Sequence, residues 1–185
     1  MKQTIQTVGN EVQEVLASVN ASEAETLSTC LREAPAVFVL GEGRSGLMGK
    51  AFAMRLMHGG YRVYAVGETI TPSIQKDDLL VAISGSGTTK GIVDMAEKAG
   101  KAGAKVFAVT TDADSPLGKQ SDHSLVIPAA TKYRRETEPD TIQPLGNQFD
   151  QSLHLLLDAV IIHSLNSGDA EKTNDELKSR HANLE

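Results

Sequence analysis

Apolar and polar residues along the chain form two alternating patterns. Five short apolar runs recur at regular intervals, and each has the length of a buried strand. They span residues 36–40, 62–66, 79–83, 105–109 and 124–127. Segments with apolar residues at helical spacing lie between several of these runs, at 47–58, 89–101 and 116–120. Strands that alternate with helices predict a parallel sheet with helices on both faces.

Helical patterns also occupy both ends of the chain. Apolar residues at helical spacing predict an amphipathic helix from about residue 3 to 19, and Ser22 with Glu25 in capping-box register predicts a second helix. Prolines and the lack of periodicity predict a long loop over 128–146. The pattern thus predicts one domain over 1–185. It comprises N-terminal helices over 3–33, an α/β core over 36–128, the loop over 128–146, and C-terminal helices over 147–183. The last of these helices is predicted to begin at Ala170.

The net charge and the cysteine content limit which partners and which cellular compartment fit this chain. The net charge of −6 argues against nucleic acid as the main partner. A single cysteine, Cys30, excludes an intramolecular disulfide and fits a reducing compartment. The N-terminus lacks the apolar core of a signal peptide, and the apolar stretch from Leu153 to Leu165 is too short and too polar to cross a bilayer. We therefore expect a cytoplasmic protein with no membrane partner.

A loop rich in glycine and hydroxyl groups follows the predicted strand at 79–83. It reads Ser-Gly-Ser-Gly-Thr-Thr-Lys-Gly from Ser84 to Gly91, and a predicted helix begins directly after it. Glycines let a backbone approach a ligand, and the free N–H groups of a first helical turn attract anions. The Walker A spacing fails, because Lys90 stands where that motif needs glycine. The loop therefore indicates a phosphate monoester rather than a nucleoside triphosphate.

A second glycine loop, from Gly41 to Gly46, follows the first predicted strand. It matches G-x-G-x-x-G, and Glu68 lies at the distance where a dinucleotide fold places a ribose-binding acid. A nucleotide-binding dehydrogenase is therefore one alternative, and two ordinary tight turns are another. Arg44 and Ser45 supply polar donors that a dinucleotide turn does not need. Two loops that follow neighbouring strands of a parallel sheet converge at its carboxyl edge, where such folds bind ligands. We therefore expect both loops to bind one phosphate ester, through the hydroxyls of Ser45, Ser84, Ser86, Thr88 and Thr89.

Candidate acids and bases are few, and composition and spacing do not rank them. Asp150 lies in the first turn of the predicted helix after the long loop, where the helix N-terminus favours the ionised carboxylate. His154 and Asp158 are four residues apart, which predicts an intrahelical pair. The remaining candidates are Glu42, Glu68, His58 and His181.

The two loops on this α/β pattern resemble those of the sugar isomerase (SIS) domain. Further strings are similar to the 6-phospho-3-hexuloisomerase family and cover nearly the whole chain. They are Ala-Phe-Ala-Met-Arg-Leu-Met-His at 51–58, Val-Gly-Glu-Thr-Ile-Thr-Pro at 66–72, Ile-Gln-Pro-Leu-Gly at 142–146 and Arg-His-Ala-Asn-Leu-Glu at 180–185.

This resemblance implies a fold, a reaction and an assembly. The implied fold is a flavodoxin-like three-layer sandwich with a five-stranded parallel sheet flanked by helices, and the implied assembly is a homotetramer. The implied reaction interconverts D-arabino-hex-3-ulose 6-phosphate and D-fructose 6-phosphate, in the ribulose monophosphate pathway of formaldehyde fixation, with no metal and no organic cofactor. A different SIS-type aldose–ketose phosphate isomerase and a non-catalytic sugar-phosphate-binding domain remain alternatives.

The resemblance also implies roles for single residues. The family's base is a Glu in the string Gly-x-x-Phe-Glu, which matches residues 146–150 here and places Asp150 as the base. His181 would polarise a sugar oxygen from a neighbouring subunit, and Glu68 is a weaker catalytic candidate. Many members have Glu at the position of Thr88. The expected substrate-binding residues are Arg44, Ser45, Ser84, Gly85, Ser86, Gly87, Thr88, Thr89 and Lys90.

Overall fold

The computed structural model describes residues 1–167 and 173–184 and has an α/β architecture. The strands are β1 (Val37–Gly41), β2 (Val63–Ala65), β3 (Leu79–Ile83), β4 (Lys105–Thr110) and β5 (His123–Val126). The helices are α1 (Lys2–Ala17), α2 (Ala21–Glu33), α3 (Gly43–His58), α4 (Lys90–Lys101), α5 (Pro116–Gln120), α6 (Asn147–Asn166) and α7 (Asn174–Ser179). The predicted five-stranded sheet flanked by helices is confirmed. In the part of the chain described here, no helix has the length and apolarity needed to cross a membrane.

All strand pairs of the sheet are parallel, and the order is β2-β1-β3-β4-β5. The chain runs outward from β1 to β2, crosses back to β3 on the other side of β1, and then continues to β5. The order therefore reverses between β1 and β3, whose register pairs Gly41 with Ile83 at their carboxyl ends. In open α/β sheets, ligands bind at such a switch point, outside the carboxyl ends of the strands.

The period-two alternation of the strands builds two separate hydrophobic cores. Side chains such as Val39 and Val81 point to the face covered by α2, α3 and α6, and they join one buried cluster. Their neighbours Leu40 and Ala82 point to the opposite face, where they meet α4 and α5 in a second cluster. The three central strands, β1, β3 and β4, are buried on both faces and are continuous apolar runs, which is why they stand out in the sequence.

Two helix starts differ from the prediction. Helix α3 begins at Gly43, four residues before the predicted start, so that its first turn includes Arg44 and Ser45. In α2, the N-cap is Asn20, whose side-chain oxygen accepts a hydrogen bond of 3.1 Å from the Ser22 N–H. The predicted capping box with Ser22 is therefore wrong, because the Asn20 side chain, two residues earlier, caps the helix instead.

The predicted loop contains no helix or strand within 128–146, yet side chains fix it at several points. The Glu11 carboxylate on α1 accepts hydrogen bonds from Thr141 Oγ1 at 2.6 Å, from the Ile142 N–H at 2.9 Å and from Gln143 Nε2 at 2.9 Å. These hydrogen bonds attach the long loop to the N-terminal helix. The predicted start of the last helix at Ala170 lies outside the described residues, and α7 begins at Asn174 with a capping box from Thr173.

Candidate active site

A cavity of about 280 Å³ opens at the switch point between β1 and β3. Its walls come from the loop after β1, the loop after β3, the long loop, and the first turn of α6. The lining residues are Glu42, Arg44, Ser45, Ile83, Ser84, Gly85, Ser86, Thr89, Ile92, Thr131, Lys132, Tyr133, Leu145, Gly146, Asn147, Phe149 and Asp150.

A single buried carboxylate, Asp150, lies in the wall of this cavity. Its side chain is only 7% exposed, and Ser45 Oγ donates a hydrogen bond of 2.7 Å to its Oδ1. Burial raises the pKa of Asp150 above the ordinary aspartate value, although the Ser45 hydrogen bond and the Arg44 charge act in the opposite direction. A carboxylate with a raised pKa is a better proton acceptor at neutral pH than an ordinary aspartate.

Arg44 connects the first loop with the start of α6. Its Nε lies 3.5 Å from Asp150 Oδ2, and its guanidinium also donates to the side-chain oxygen of Asn147. Arg44 and Ser45 were predicted to bind substrate, and both line the cavity. In this structure, however, their donor groups are directed at the carboxylate, so the first loop holds Asp150 in place.

The loop after β3 forms the opposite wall and is held by the neighbouring strand. The Gly85 carbonyl accepts hydrogen bonds from the Thr111 N–H at 3.1 Å and from Thr111 Oγ1 at 2.8 Å. Ser84 Oγ lies 3.1 Å from Thr89 Oγ1, which places two hydroxyls together below the start of α4. Thr89 is the N-cap of α4, and its side chain makes no capping hydrogen bond with any described residue. Donors of the first turn of α4 therefore remain available to an anion.

Gly87 in this loop has a conformation and a packing that exclude a side chain. Its φ is +64°, and a Cβ built there would lie 2.0 Å from Ser115 Oγ, at the N-cap of α5. The Gly87 carbonyl also accepts a hydrogen bond of 3.0 Å from the Leu117 N–H. The sharp turn of the loop is therefore locked against α5.

The structure brings most of the predicted substrate-binding residues to one cavity. Arg44, Ser45, Ser84, Gly85, Ser86, Thr89 and Asp150 line it. Gly87, Thr88 and Lys90 belong to the same loop and helix start but lie beyond the lining set. The sequence analysis missed Lys132, Tyr133 and Asn147. For Lys132 and Tyr133 the sequence signal was a predicted loop too long to be a simple connection.

Two predicted catalytic residues lie outside this cavity. Glu68 follows β2, is half exposed, and forms an ion pair of 2.5 Å with Lys50. His181 follows α7 and stacks on the buried His58 with ring centroids 5.3 Å apart. His181 lines a second cavity, which also contains Asp158 of α6. Since eight residues of helix separate Asp150 from Asp158, the two cavities are about 12 Å apart along α6.

The other acid–base candidates, apart from Glu42, have structural partners outside the cavity. His154 and Asp158 form the predicted intrahelical pair, with His154 Nε2 3.9 Å from Asp158 Oδ2. Burial and the neighbouring His181 lower the pKa of His58, so its ring is neutral at physiological pH. Glu42 lines the cavity, and its carboxylate lies so close to Gly91 that a Cβ there would be 2.6 Å from Oε1.

Comparison with known proteins assigns the fold and its loops to a family. The model of the SIS domain matches residues 30–139, which include both glycine loops. This chain belongs to the SIS domain family. The assignment favours the sugar-phosphate interpretation of the two loops over the dinucleotide-binding one.

Relatives of this SIS domain protein match it over nearly its full length. A protein of Bacillus subtilis named 3-hexulose-6-phosphate isomerase is 38% identical, and the match covers 95% of this chain and 94% of the relative. A protein of the same name from Mycobacterium gastri is 42% identical, over 96% of this chain and 88% of the relative. A crystal structure of a hypothetical protein from Methanococcus jannaschii superposes with a TM-score of 0.83 at 30% identity and covers 98% of this chain and 99% of its own. That structure was reported to infer a molecular function of 3-hexulose-6-phosphate isomerase.

Proposed function

We propose that this protein is a 3-hexulose-6-phosphate isomerase, which interconverts D-arabino-hex-3-ulose 6-phosphate and D-fructose 6-phosphate. The observation that carries the proposal is the single buried carboxylate, Asp150, in a cavity shared with the hydroxyl loop from Ser84 to Thr89. Two relatives of that name cover nearly the whole chain and support the substrate. The alternatives are another sugar-phosphate isomerase of this family and a binding domain without activity.

The proposed chemistry is a proton transfer through an enediolate. Asp150 removes the proton from C2 of the 3-ketose, the electron pair of that bond forms the C2–C3 double bond of the enediolate, and the carbonyl oxygen on C3 gains a proton. Return of a proton to C3 and loss of the hydroxyl proton on C2 give the 2-ketose. A carboxylate with a raised pKa suits both transfers, because its affinity for the proton is closer to the working pH.

The phosphate has a different task from the carboxylate in this proposal. It binds the hydroxyls of Ser84, Ser86 and Thr89 and the start of α4, and it does not react. Binding energy at this remote group orients C2 and C3 toward Asp150. Replacement of both Ser84 and Ser86 by alanine should raise the KM and change the kcat less.

Asp150 is shorter by one methylene than the Glu that the resemblance implies at this position. Displacement of a catalytic carboxylate by about 1 Å can lower the reaction rate on the order of 100-fold. Ser45 and Arg44 offset this risk, because their contacts fix both carboxylate oxygens. We propose that the shorter side chain is positioned by these two residues.

His181 enters the proposal as a group from a neighbouring subunit of a homo-oligomer, with a tetramer as the expected size. Within one chain, His181 lies in the second cavity and cannot reach a sugar bound beside Asp150. Large apolar side chains on α3 and α6 are exposed nearby, among them Met54 at 48% and Ile162 at 61%. Such exposed apolar surface supports burial against another copy of the chain.

The deciding measurement is fructose 6-phosphate formation from hexulose 6-phosphate that is made in situ by hexulose-phosphate synthase. Glucose-6-phosphate isomerase and its dehydrogenase convert the product into a change in absorbance. We expect turnover that depends on this protein and is lost in Asp150→Asn. An intact protein that binds fructose 6-phosphate without turnover would contradict the proposal and favour the binding domain.

A further inference from the structure

The cavity contains two cationic side chains, and they differ in how they are bonded. Arg44 lies 3.5 Å from the Asp150 carboxylate and donates to Asn147, so its charge is already balanced. Lys132 also lines the cavity, and no hydrogen bond or ion pair joins its ammonium group to any of the residues described. The ammonium group lies over the face of the Tyr133 ring, 5.1 Å from the ring centroid. Among the residues that the structure describes, Lys132 is thus an exposed cation without an anionic partner.

The backbone on both sides of Lys132 is fixed by hydrogen bonds of partly buried groups. The Glu138 carboxylate, whose side chain is 6% exposed, accepts from the Thr131 N–H at 2.8 Å and from Thr131 Oγ1 at 2.7 Å. Thr131 Oγ1 in turn accepts from the Tyr133 N–H at 3.2 Å. Lys132 therefore stands between two anchored residues in the wall of the cavity.

Arg134 joins this turn to the rest of the cavity wall. Its guanidinium donates to three carbonyls, those of Thr131, Gln143 and Leu145, at 2.5 to 2.8 Å. Since Leu145 also lines the cavity, one side chain connects the Lys132 turn to the segment that leads into α6. This arrangement fixes the backbone that carries Lys132 in the wall of the same cavity.

We infer that Lys132 binds the anionic phosphate group of the substrate. The inference rests on the proposed function for the identity of the substrate, and it adds the residue that supplies the positive charge. The hydroxyl loop offers neutral donors, and Lys90 lies beyond the cavity lining. A phosphate monoester carries close to two negative charges at neutral pH, and a lysine ammonium interacts with it as a point charge. Lys132 completes the phosphate site from the long loop.

The test compares three variants with the wild-type enzyme. Lys132→Met should raise the KM for fructose 6-phosphate roughly 10-fold with little change in kcat, because a charge-assisted contact to a non-reacting group is lost. Lys132→Arg should keep the KM near the wild-type value. Lys76→Met makes the same charge change at the opposite edge of the sheet, before β3, and should leave the KM unchanged. The inhibition constant of inorganic phosphate should rise in parallel in Lys132→Met alone.

Unchanged KM and unchanged phosphate inhibition in Lys132→Met would overturn the inference, and so would a loss confined to kcat. Thermal unfolding of each variant separates a binding defect from a folding defect. Calorimetric titration with fructose 6-phosphate keeps this test independent of the proposed reaction. If the wild type binds but does not turn over, the isomerase proposal fails, while the ratio of dissociation constants between wild type and Lys132→Met still decides the role of Lys132.

Discussion

The Ser45 hydroxyl donates a hydrogen bond of 2.7 Å to Asp150 Oδ1, although the two residues are 105 positions apart in the chain. Each lies in the first turn of a helix, Ser45 in α3 and Asp150 in α6. The contact therefore depends on how these two helices pack on the same face of the sheet. It determines where the proposed base points and contributes to its pKa.

Replacement of Asp150 by Asn should remove activity without loss of stability. We expect the kcat to fall by about 10²- to 10⁴-fold, the usual contribution of a general base, while fructose 6-phosphate still binds. Burial raises the folded-state pKa of Asp150, so its favourable contribution to folding is complete below the unfolded pKa and is lost as the pH rises through the folded value. At pH 7 the melting temperature of Asp150→Asn should therefore equal or exceed that of the wild type, and turnover at the wild-type rate would place the base elsewhere.

Removal of Ser45 or Arg44 should change the pH dependence of the reaction. Both side chains lower the pKa of Asp150 against the effect of burial. In Ser45→Ala and in Arg44→Met, the acid limb of the kcat profile should therefore move to higher pH. Ser86→Ala is the matched control, since Ser86 lines the same cavity without a hydrogen bond to Asp150. An acid limb that stays in place in all three variants would show that Asp150 does not control it.

Two glycines with similar backbone angles allow a test of the packing below the hydroxyl loop. Gly87 and Gly43 have φ values of +64° and +58°, so alanine strains both. Only at Gly87 does the new Cβ collide, with Ser115 Oγ at 2.0 Å, whereas nothing lies within 4 Å at Gly43. Chemical denaturation should show Gly87→Ala less stable than Gly43→Ala by about 1–3 kcal/mol, the usual cost of overpacking. Equal stabilities would mean that the loop relaxes freely.

Glu11 should stabilise the long loop in a pH-dependent manner. Partial burial raises its pKa, but hydrogen bonds from Thr141, the Ile142 N–H and Gln143 outweigh this effect and leave the pKa below the ordinary value. A lowered folded-state pKa stabilises the fold above the unfolded pKa, and this contribution disappears as the pH falls through the folded value. Glu11→Gln should therefore lower the free energy of unfolding by about 1 kcal/mol at pH 7, because the amide nitrogen that replaces one carboxylate oxygen cannot accept a hydrogen bond. The loss should be smaller in acid, where the Glu11 carboxylate of the wild type is itself protonated.

Denaturant unfolding of Glu11→Gln and wild type at several pH values measures that difference. Glu14→Gln, on the same helix and exposed, serves as the control with an equal change of charge. A stability gap between Glu11→Gln and wild type that is independent of pH would contradict the role of the carboxylate.

Mixed oligomers test whether His181 serves a neighbouring subunit. Asp150→Asn and His181→Ala should each be poorly active alone. After joint unfolding and refolding, a mixed dimeric unit has one site with both natural residues, so about a quarter of the wild-type activity should return. Recovery is expected only if Asp150 and His181 of one site come from different chains. No recovery, with mixed oligomers demonstrated by mass, would leave His181 as a packing partner of His58.

The five strands and the positions of both loops could be predicted from the amino-acid sequence alone. Strands such as Leu79–Ile83 are buried on both faces, so their apolar runs stand out without knowledge of their neighbours. The Gly-rich turns after β1 and β3 are equally local features, because a positive φ or a close backbone approach selects glycine at a single position. Asp150 was identified as a candidate from its place at the start of a helix.

Which residues share a site became evident only from the tertiary structure. Ser45 was expected to contact substrate, yet its hydroxyl holds Asp150, and Lys132 was not among the predicted site residues although it lines the same cavity. Helix packing and the long loop bring these residues together across about 100 positions, and no local pattern encodes such a distance. Glu68 shows the converse, since motif resemblance made it a catalytic candidate while the fold places it outside the cavity, in an ion pair with Lys50. Side-chain chemistry is local in the sequence, whereas the burial and proximity that shift a pKa arise only when distant segments pack.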